Sequence, residues 1–195
     1  MAKSTRYTVV GAGNGGRAMA AHLALMGFTV TLYNRTPDHV EIIKMRGGIE
    51  LTSYEDVPHG FGKLALVTSD MGEALERSDA VMVVVPATAH ADIAKAAAPY
   101  LRDGQIIVLH PGRTGGALEF QHVLEQCGCE ADVTVAEAET LLYAARSEGP
   151  AQARIFRIKD AVPMAALPAT CTPRVLEVLS TAFPRFIDGN NVLQT

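Results

Sequence analysis

The chain has 195 residues, of which 48% are hydrophobic and 19% charged, enough apolar sequence to bury a sizeable core. Its 17 Lys and Arg against 21 Asp and Glu give a formal net charge of −4, which argues against nucleic acid or an anionic membrane as partner. No apolar run approaches membrane-spanning length, and the opening MAKSTRY lacks the apolar core of a signal peptide, so a cytoplasmic protein is expected.

Residues 7–10 form a short β-branched and aromatic run that reads as a buried strand. It leads directly into Gly11, Gly13 and Gly16 in G-x-G-x-x-G spacing, and residues 18–26 then read as a helix. Between a strand and a helix, this triplet is a dinucleotide-binding fingerprint. Gly11 lets the chain leave the strand in a tight turn, Gly13 has no Cβ to obstruct a pyrophosphate, and Gly16 lets the helix lie close on the strand. The unpaired N–H groups of the helix's first turn, at the positive end of its dipole, attract phosphates. A P-loop is excluded, because Arg17 and Ala18 stand where Lys and Ser or Thr are needed.

A second strand is predicted over residues 29–33 and a helix over 37–46, ended by Gly47 and Gly48. Residues 49–63 read as a small surface strand or hairpin and a loop, an excursion from the sheet. Residues 64–68 form a strand, 71–77 a helix with Ser69 or Asp70 as N-cap, and 80–85 an apolar run buried on both faces, as in a parallel sheet. A helix over 90–101, a strand over 105–109 and a helix over 115–126 continue the alternation. The class is therefore α/β, a Rossmann-type doubly wound and mostly parallel sheet. Three strands without intervening helices (133–137, 141–145 and 153–159) then predict a mixed or antiparallel far edge. A last helix over 173–183 and a short extended piece over 186–192 follow. All 195 residues read as one dinucleotide-binding domain. Cys127, Cys129 and Cys171 have neither metal nor thioredoxin spacing and are expected to be free thiols.

The end of the second strand of such a fold touches the adenosine ribose, where an acid selects NAD and an Arg accommodates the 2′-phosphate of NADP. Here the residues are Asn34, Arg35 and Thr36. Without a carboxylate to repel phosphate, and with Arg35 to pair with it, NADP is the expected cofactor and NAD the alternative. Arg35 as a solvated charge and Asn34 as a turn former are the plainer readings. The turn Val85, Pro86, Ala87, Thr88, Ala89, His90 follows the fourth strand and should face the cofactor; Pro86 and Ala87 would pack on its apolar part. His90 could reach a phosphate or substrate, or simply bond to backbone. The loop from His110 through Pro111, Gly112, Arg113 and Thr114 to Gly115 and Gly116 offers a second approach of backbone N–H groups to a ligand, or is an ordinary strand-to-helix turn. Glu137, Glu139, Arg146 and Glu148 could line a pocket or be surface charge. No metal-ligand spacing, nucleophile elbow or convincing general acid or base is present.

With these motifs in order, VVVPATAH, HPGRTGGALEF and ETLLYAARSEGPAQ included, the chain resembles the opine dehydrogenases, the octopine and nopaline dehydrogenase family, over about residues 7–195. The stretch PGRTGGALEF, residues 111–120, is the most specific element. The resemblance implies an N-terminal Rossmann domain for NAD(P)H, a helical C-terminal domain that completes the substrate site, and reductive condensation of an amino acid with a 2-oxo acid by hydride transfer to an imine. It also implies that Gly11, Gly13, Asn14, Gly15 and Gly16 form the pyrophosphate loop and that Pro86 and Gly112 lie on the cofactor side. The family's catalytic histidine and aspartate belong to the C-terminal domain, and this sequence stops at NNVLQT, where that domain is expected to begin. No catalytic residue is therefore assigned, and the chain alone is expected to turn over little.

Three readings follow: the cofactor domain of an opine-type dehydrogenase, a short enzyme completed by another subunit in a homo-oligomer, or a non-catalytic nucleotide-sensing module. Reductases of the ketopantoate and glycerol 3-phosphate types share the glycine motif but are less supported by the PGRTGGALEF loop.

Overall fold

The computed structural model describes residues 5–112 and 115–195. The first strand, β1 (Arg6–Val10), is buried from Tyr7 onward and runs into helix α1 (Asn14–Leu25). That helix starts four residues before the sequence suggests, because Gly15 and Gly16 form its first turn instead of preceding it. Strand β2 (Thr29–Tyr33) pairs parallel to β1, with Val9 beside Leu32. A short 3-10 turn and α2 (Glu41–Arg46) follow, and Gly47, left-handed at φ 72°, ends the helix.

Gly48 is not part of that cap but opens β3 (Gly48–Ser53), which forms an antiparallel hairpin with β4 (Gly60–Lys63). The hairpin is no surface excursion. Ile49 and Leu51 are fully buried, and Gly62 lies so close to α1 that an added Cβ would sit 2.7 Å from the Ala21 carbonyl oxygen.

The chain returns to the main sheet through β5 (Leu66–Thr68), α3 (Met71–Leu75), β6 (Ala80–Val83), α4 (His90–Ala97), β7 (Ile106–Leu109), α5 (Gly116–Gln126) and β8 (Thr134–Ala138). Asp70, not Ser69, caps α3 by accepting from the Glu73 N–H at 2.9 Å. Strands β6 and β7 are buried at every position, as the unalternating AVMV and IIVL runs require.

Two predicted far-edge strands go elsewhere. β9 (Tyr143–Gly149) and β10 (Gln152–Ile158) pair antiparallel with each other, and β10 pairs parallel with β3, so the second sheet has the order β4-β3-β10-β9. The far side of the main sheet is nonetheless antiparallel, because β11 (Val162–Leu167), which the sequence reading does not contain, runs against β8. Pro163 makes that run look unsuitable for a strand, yet the backbone groups of Met164–Leu167 pair with β8, where Pro163 has no N–H to supply. After α6 (Thr172–Ser180), only Phe186–Asp188 is extended, as β12, parallel to β11.

The main sheet thus has the order β12-β11-β8-β7-β6-β1-β2-β5. One face carries α3, α4 and α5; the other carries α1, α6 and the second sheet. Helix α1 lies between the two sheets. Its sequence RAMAAHLAL is apolar almost all round for that reason, and Ala18, Met19, Ala20, Ala21 and Leu23 have no exposed surface. Past Arg17 at its start, the polar exception is His22, which bonds through Nδ1 to the Tyr143 hydroxyl of β9 at 2.8 Å.

Burial pushes the His22 pKa down to about 4 and that of His110, which stacks on Phe186, to about 3. A histidine depressed in the fold takes up its proton preferentially in the unfolded chain, so its stabilisation is complete above about pH 6.5 and is lost as pH falls towards 4. His22→Gln keeps an acceptor for Tyr143 but does not titrate. On moving from pH 7.5 to 5.5, denaturant unfolding should show the native sequence losing about 1 kcal/mol more than this variant. An equal loss would remove His22 from the acid response.

Candidate functional site: a glycine loop and cleft at the carboxyl ends of the strands

Main-sheet order reverses between β1 and β6, and the carboxyl ends of β1, β2 and β6 open into a crevice where ligands of such sheets bind. Gly11 leaves β1 at φ +111°, and a Cβ there would overlap the Val84 carbonyl oxygen and lie 2.8 Å from Val85 Cγ1. Gly16 faces back onto the turn, and its Cβ would overlap the Gly11 carbonyl oxygen, so helix and strand touch backbone to backbone. Gly13 differs: no atom lies within 4 Å of an added Cβ, and its φ of −74° suits any residue. Neither its backbone conformation nor its neighbours require glycine there. Gly15 is buried, with its Cβ position 2.5 Å from Leu141 Cδ2, so it serves packing beneath the loop.

Two asparagines hold this loop from opposite sides. Asn34 Oδ1, at the end of β2, accepts from the Ala12 N–H at 3.1 Å, and Asn14 Oδ1 accepts from the Ser147 N–H of β9 at 2.9 Å. Arg17 adds bonds to the carbonyl oxygens of Gly149 (3.0 Å) and His39 (3.3 Å). The amide of Asn34 donates to the Thr36 carbonyl at 3.0 Å, so its side chain is committed to shaping the loop as well as standing at the cleft.

The helix behind the loop starts without a side-chain cap and without an acid in its first turn. Helix α5, entered by the other glycine turn, is the opposite case. Glu137, fully buried at the end of β8, accepts from the Ala117 N–H at 2.7 Å and from the Thr195 hydroxyl at 3.2 Å. Its carboxylate takes the helix N–H group that the sequence reading offers to a ligand at the Gly115-Gly116 turn. Gly112 is glycine because a Cβ would overlap that of Glu137. Desolvation raises the Glu137 pKa, against the two hydrogen bonds that lower it. Glu137 is therefore neither pocket lining nor surface charge.

His90 is likewise withdrawn: it has no exposed surface, a pKa lowered by burial, and packs against Gly116. Its ring does not reach the cleft. Pro111 is partly exposed beside Gly112; Arg113 and Thr114 lie outside the described residues.

Between these elements lies a cavity of about 230 Å³ lined by Gly11, Asn34, Arg35, Thr36, Val85 and Pro86, with Ala87 exposed just beyond it. The structure thus brings together the residues from the first, second and fourth predicted strands. It adds others that sequence reasoning missed, among them Tyr33, His39 and Asp92. Asp92 Oδ2 meets Arg35 Nη1 at 3.4 Å. Only its place in the first turn of the helix after Pro86 could have drawn notice. A larger hollow of about 410 Å³ lies at the amino ends of β1 and β2, away from the glycine loop.

Strand order, glycine turn and cleft define a dinucleotide-binding domain of the Rossmann class. The chain belongs to the family of the NAD-dependent glycerol-3-phosphate dehydrogenase N-terminus, an oxidoreductase family whose model matches residues 6–125. It is also 39% identical to the opine dehydrogenase of Arthrobacter sp. (strain 1C) over 202 aligned residues, covering 100% of this chain and 54% of that protein. The resemblance to the N-terminal domain of opine dehydrogenases thus holds along the whole chain. Octopine dehydrogenase solved with NADH and L-arginine superimposes with a TM-score of 0.84 at 23% identity, covering 97% of this chain and 49% of that one. Yersinopine dehydrogenase with NADP+ bound gives 0.82 at 18% identity, covering 99% and 49%. The chain spans about half the length of these relatives. Among the described residues, no helix is long and apolar enough to cross a membrane, and the three cysteines are unpaired, as expected.

The two helix entries should respond differently to substitution. Glu137→Ala leaves a buried N–H without its acceptor and should cost about 1–3 kcal/mol of stability in thermal or denaturant unfolding. Gly13→Val, at an ordinary φ facing open space, should change stability by less than about 1 kcal/mol. A large loss at Gly13 would show that the fold, not a ligand, demands that glycine.

Proposed function

We propose that this chain is the cofactor-binding half of an opine-type dehydrogenase, a cytoplasmic enzyme that condenses an amino acid with a 2-oxo acid and reduces the resulting imine at the expense of NAD(P)H. The observation that carries the cofactor assignment is the uncapped amino end of α1, behind a glycine with nothing near its Cβ position. Likeness to an opine dehydrogenase over the entire chain, where the family model spans only residues 6–125, favours this chemistry over that of the glycerol 3-phosphate and ketopantoate enzymes.

In this reading the backbone of Gly13, Asn14 and Gly15 receives the pyrophosphate, aided by the positive end of the α1 dipole. Asn34, Arg35 and Thr36 surround the adenosine ribose, and Val85, Pro86 and Ala87 pack along the cofactor's apolar surface. The cofactor supplies the hydride, and the protein supplies its orientation and the exclusion of water. Arg35 gives NADPH the advantage over NADH, because only NADPH carries a 2′-phosphate for the guanidinium to meet. Pro111 and Gly112 lie on the nicotinamide side, towards the part of the enzyme that holds the amino acid and the 2-oxo acid.

Calorimetric titration of the chain with NADPH and NADH tests this. Both should bind, NADPH more tightly; Gly13→Val should weaken both by at least about tenfold, and Arg35→Ala should weaken NADPH alone by roughly tenfold. Absence of binding by either nucleotide, or unchanged affinity in a folded Gly13→Val variant, would overturn the assignment.

A further inference from the structure

We propose that Asp92 tempers the nicotinamide cofactor preference of this site, supplying from α4 the acid that the end of β2 lacks. This rests on the placement of the adenosine ribose beside Asn34 and Arg35. In sheets of this kind a carboxylate at the ribose accepts from the 2′-hydroxyl of NAD and repels the 2′-phosphate of NADP. At the end of β2 the residue is Asn34, whose side chain is spent on Ala12 and Thr36, so it cannot play that part. The acid comes instead from the opposite wall: Asp92 lines the same 230 Å³ cavity as Asn34, Arg35 and Thr36, and its Oδ2 lies 3.4 Å from Arg35 Nη1.

The pair is solvated, with 74% of the Arg35 side chain and 62% of that of Asp92 exposed, so neither residue is needed for the fold. Its length and exposure make it easy to break. A 2′-phosphate must draw Arg35 from Asp92 and then sit close to an uncompensated carboxylate. A 2′-hydroxyl can leave the pair in place and donate to Asp92. Asp92 therefore narrows the advantage that Arg35 gives to NADPH, and the site accepts both cofactors. His39 and Tyr33 are the other titratable side chains lining the cavity beside the pair; the His39 carbonyl is held by Arg17, and the Tyr33 hydroxyl feels the charge of Arg35.

The substitution Asp92→Asn keeps the shape of the side chain and removes its charge. In parallel titrations of the full chain at about 0.1 M salt, it should tighten NADPH and weaken NADH, raising the NADPH-to-NADH affinity ratio roughly three- to tenfold. In an Arg35→Ala background the same change should still improve NADPH relative to NADH, because the repulsion acts on the phosphate itself. Equal changes for both nucleotides, or a ratio within twofold of the native one, would overturn the role of Asp92 while leaving the cofactor site standing. Failure of the native chain to bind either nucleotide would overturn both.

Discussion

Everything at the candidate site depends on the contact between Gly16 and the Gly11 carbonyl. Because no side chain intervenes, α1 lies against the end of β1 and its first turn points into the crevice between β1 and β6. The same economy of side chains continues along the helix, where Ala18, Ala20 and Ala21 allow close contact on both faces and Gly62 of β4 meets the Ala21 backbone. The helix that carries the loop is thus clamped between two sheets. A site whose backbone must be preorganised is well served by an element with so little freedom.

The second sheet is more than a cover. Its β9–β10 hairpin reaches over the start of α1, where Ser147 bonds to Asn14 and Gly149 to Arg17. The glycine loop is fixed at one side by β2 through Asn34 and at the other by this hairpin, so both sheets share in shaping a single turn. His22 and Tyr143 tie the same two elements one layer deeper.

The two glycine turns show how similar local sequence serves opposite ends. Both follow buried parallel strands and both open helices. At α1 the helix start is left without a carboxylate, whereas at α5 Glu137 fills it from a neighbouring strand and also takes the Thr195 hydroxyl. A buried carboxylate is tolerated in that position because helix N–H groups and dipole offset part of its desolvation. The chain therefore closes one helix start with its own carboxylate and leaves the other uncapped.

The sequence by itself determined the Rossmann core: the unalternating runs of β6 and β7, the glycine spacing and the alternation of strands with helices each follow from local chemistry, although β6 stops at Val83 and leaves Val84 and Val85 half-buried in the turn that follows. It also determined that Asn34, Arg35, Val85 and Pro86 meet at one cleft, because the carboxyl ends of adjacent parallel strands must share an edge. Only the tertiary structure decided where β3, β4, β9 and β10 belong, since period-two alternation states that one face is buried but not against what. Pro163 concealed β11 because a proline's cost in a strand depends on which N–H the sheet requires. Glu137, His90 and Asp92 were illegible for a common reason: whether a charged or polar side chain plugs a helix, hides in the core or faces a ligand is set by neighbours 20 to 57 residues away, such as Ala117 for Glu137 and Arg35 for Asp92.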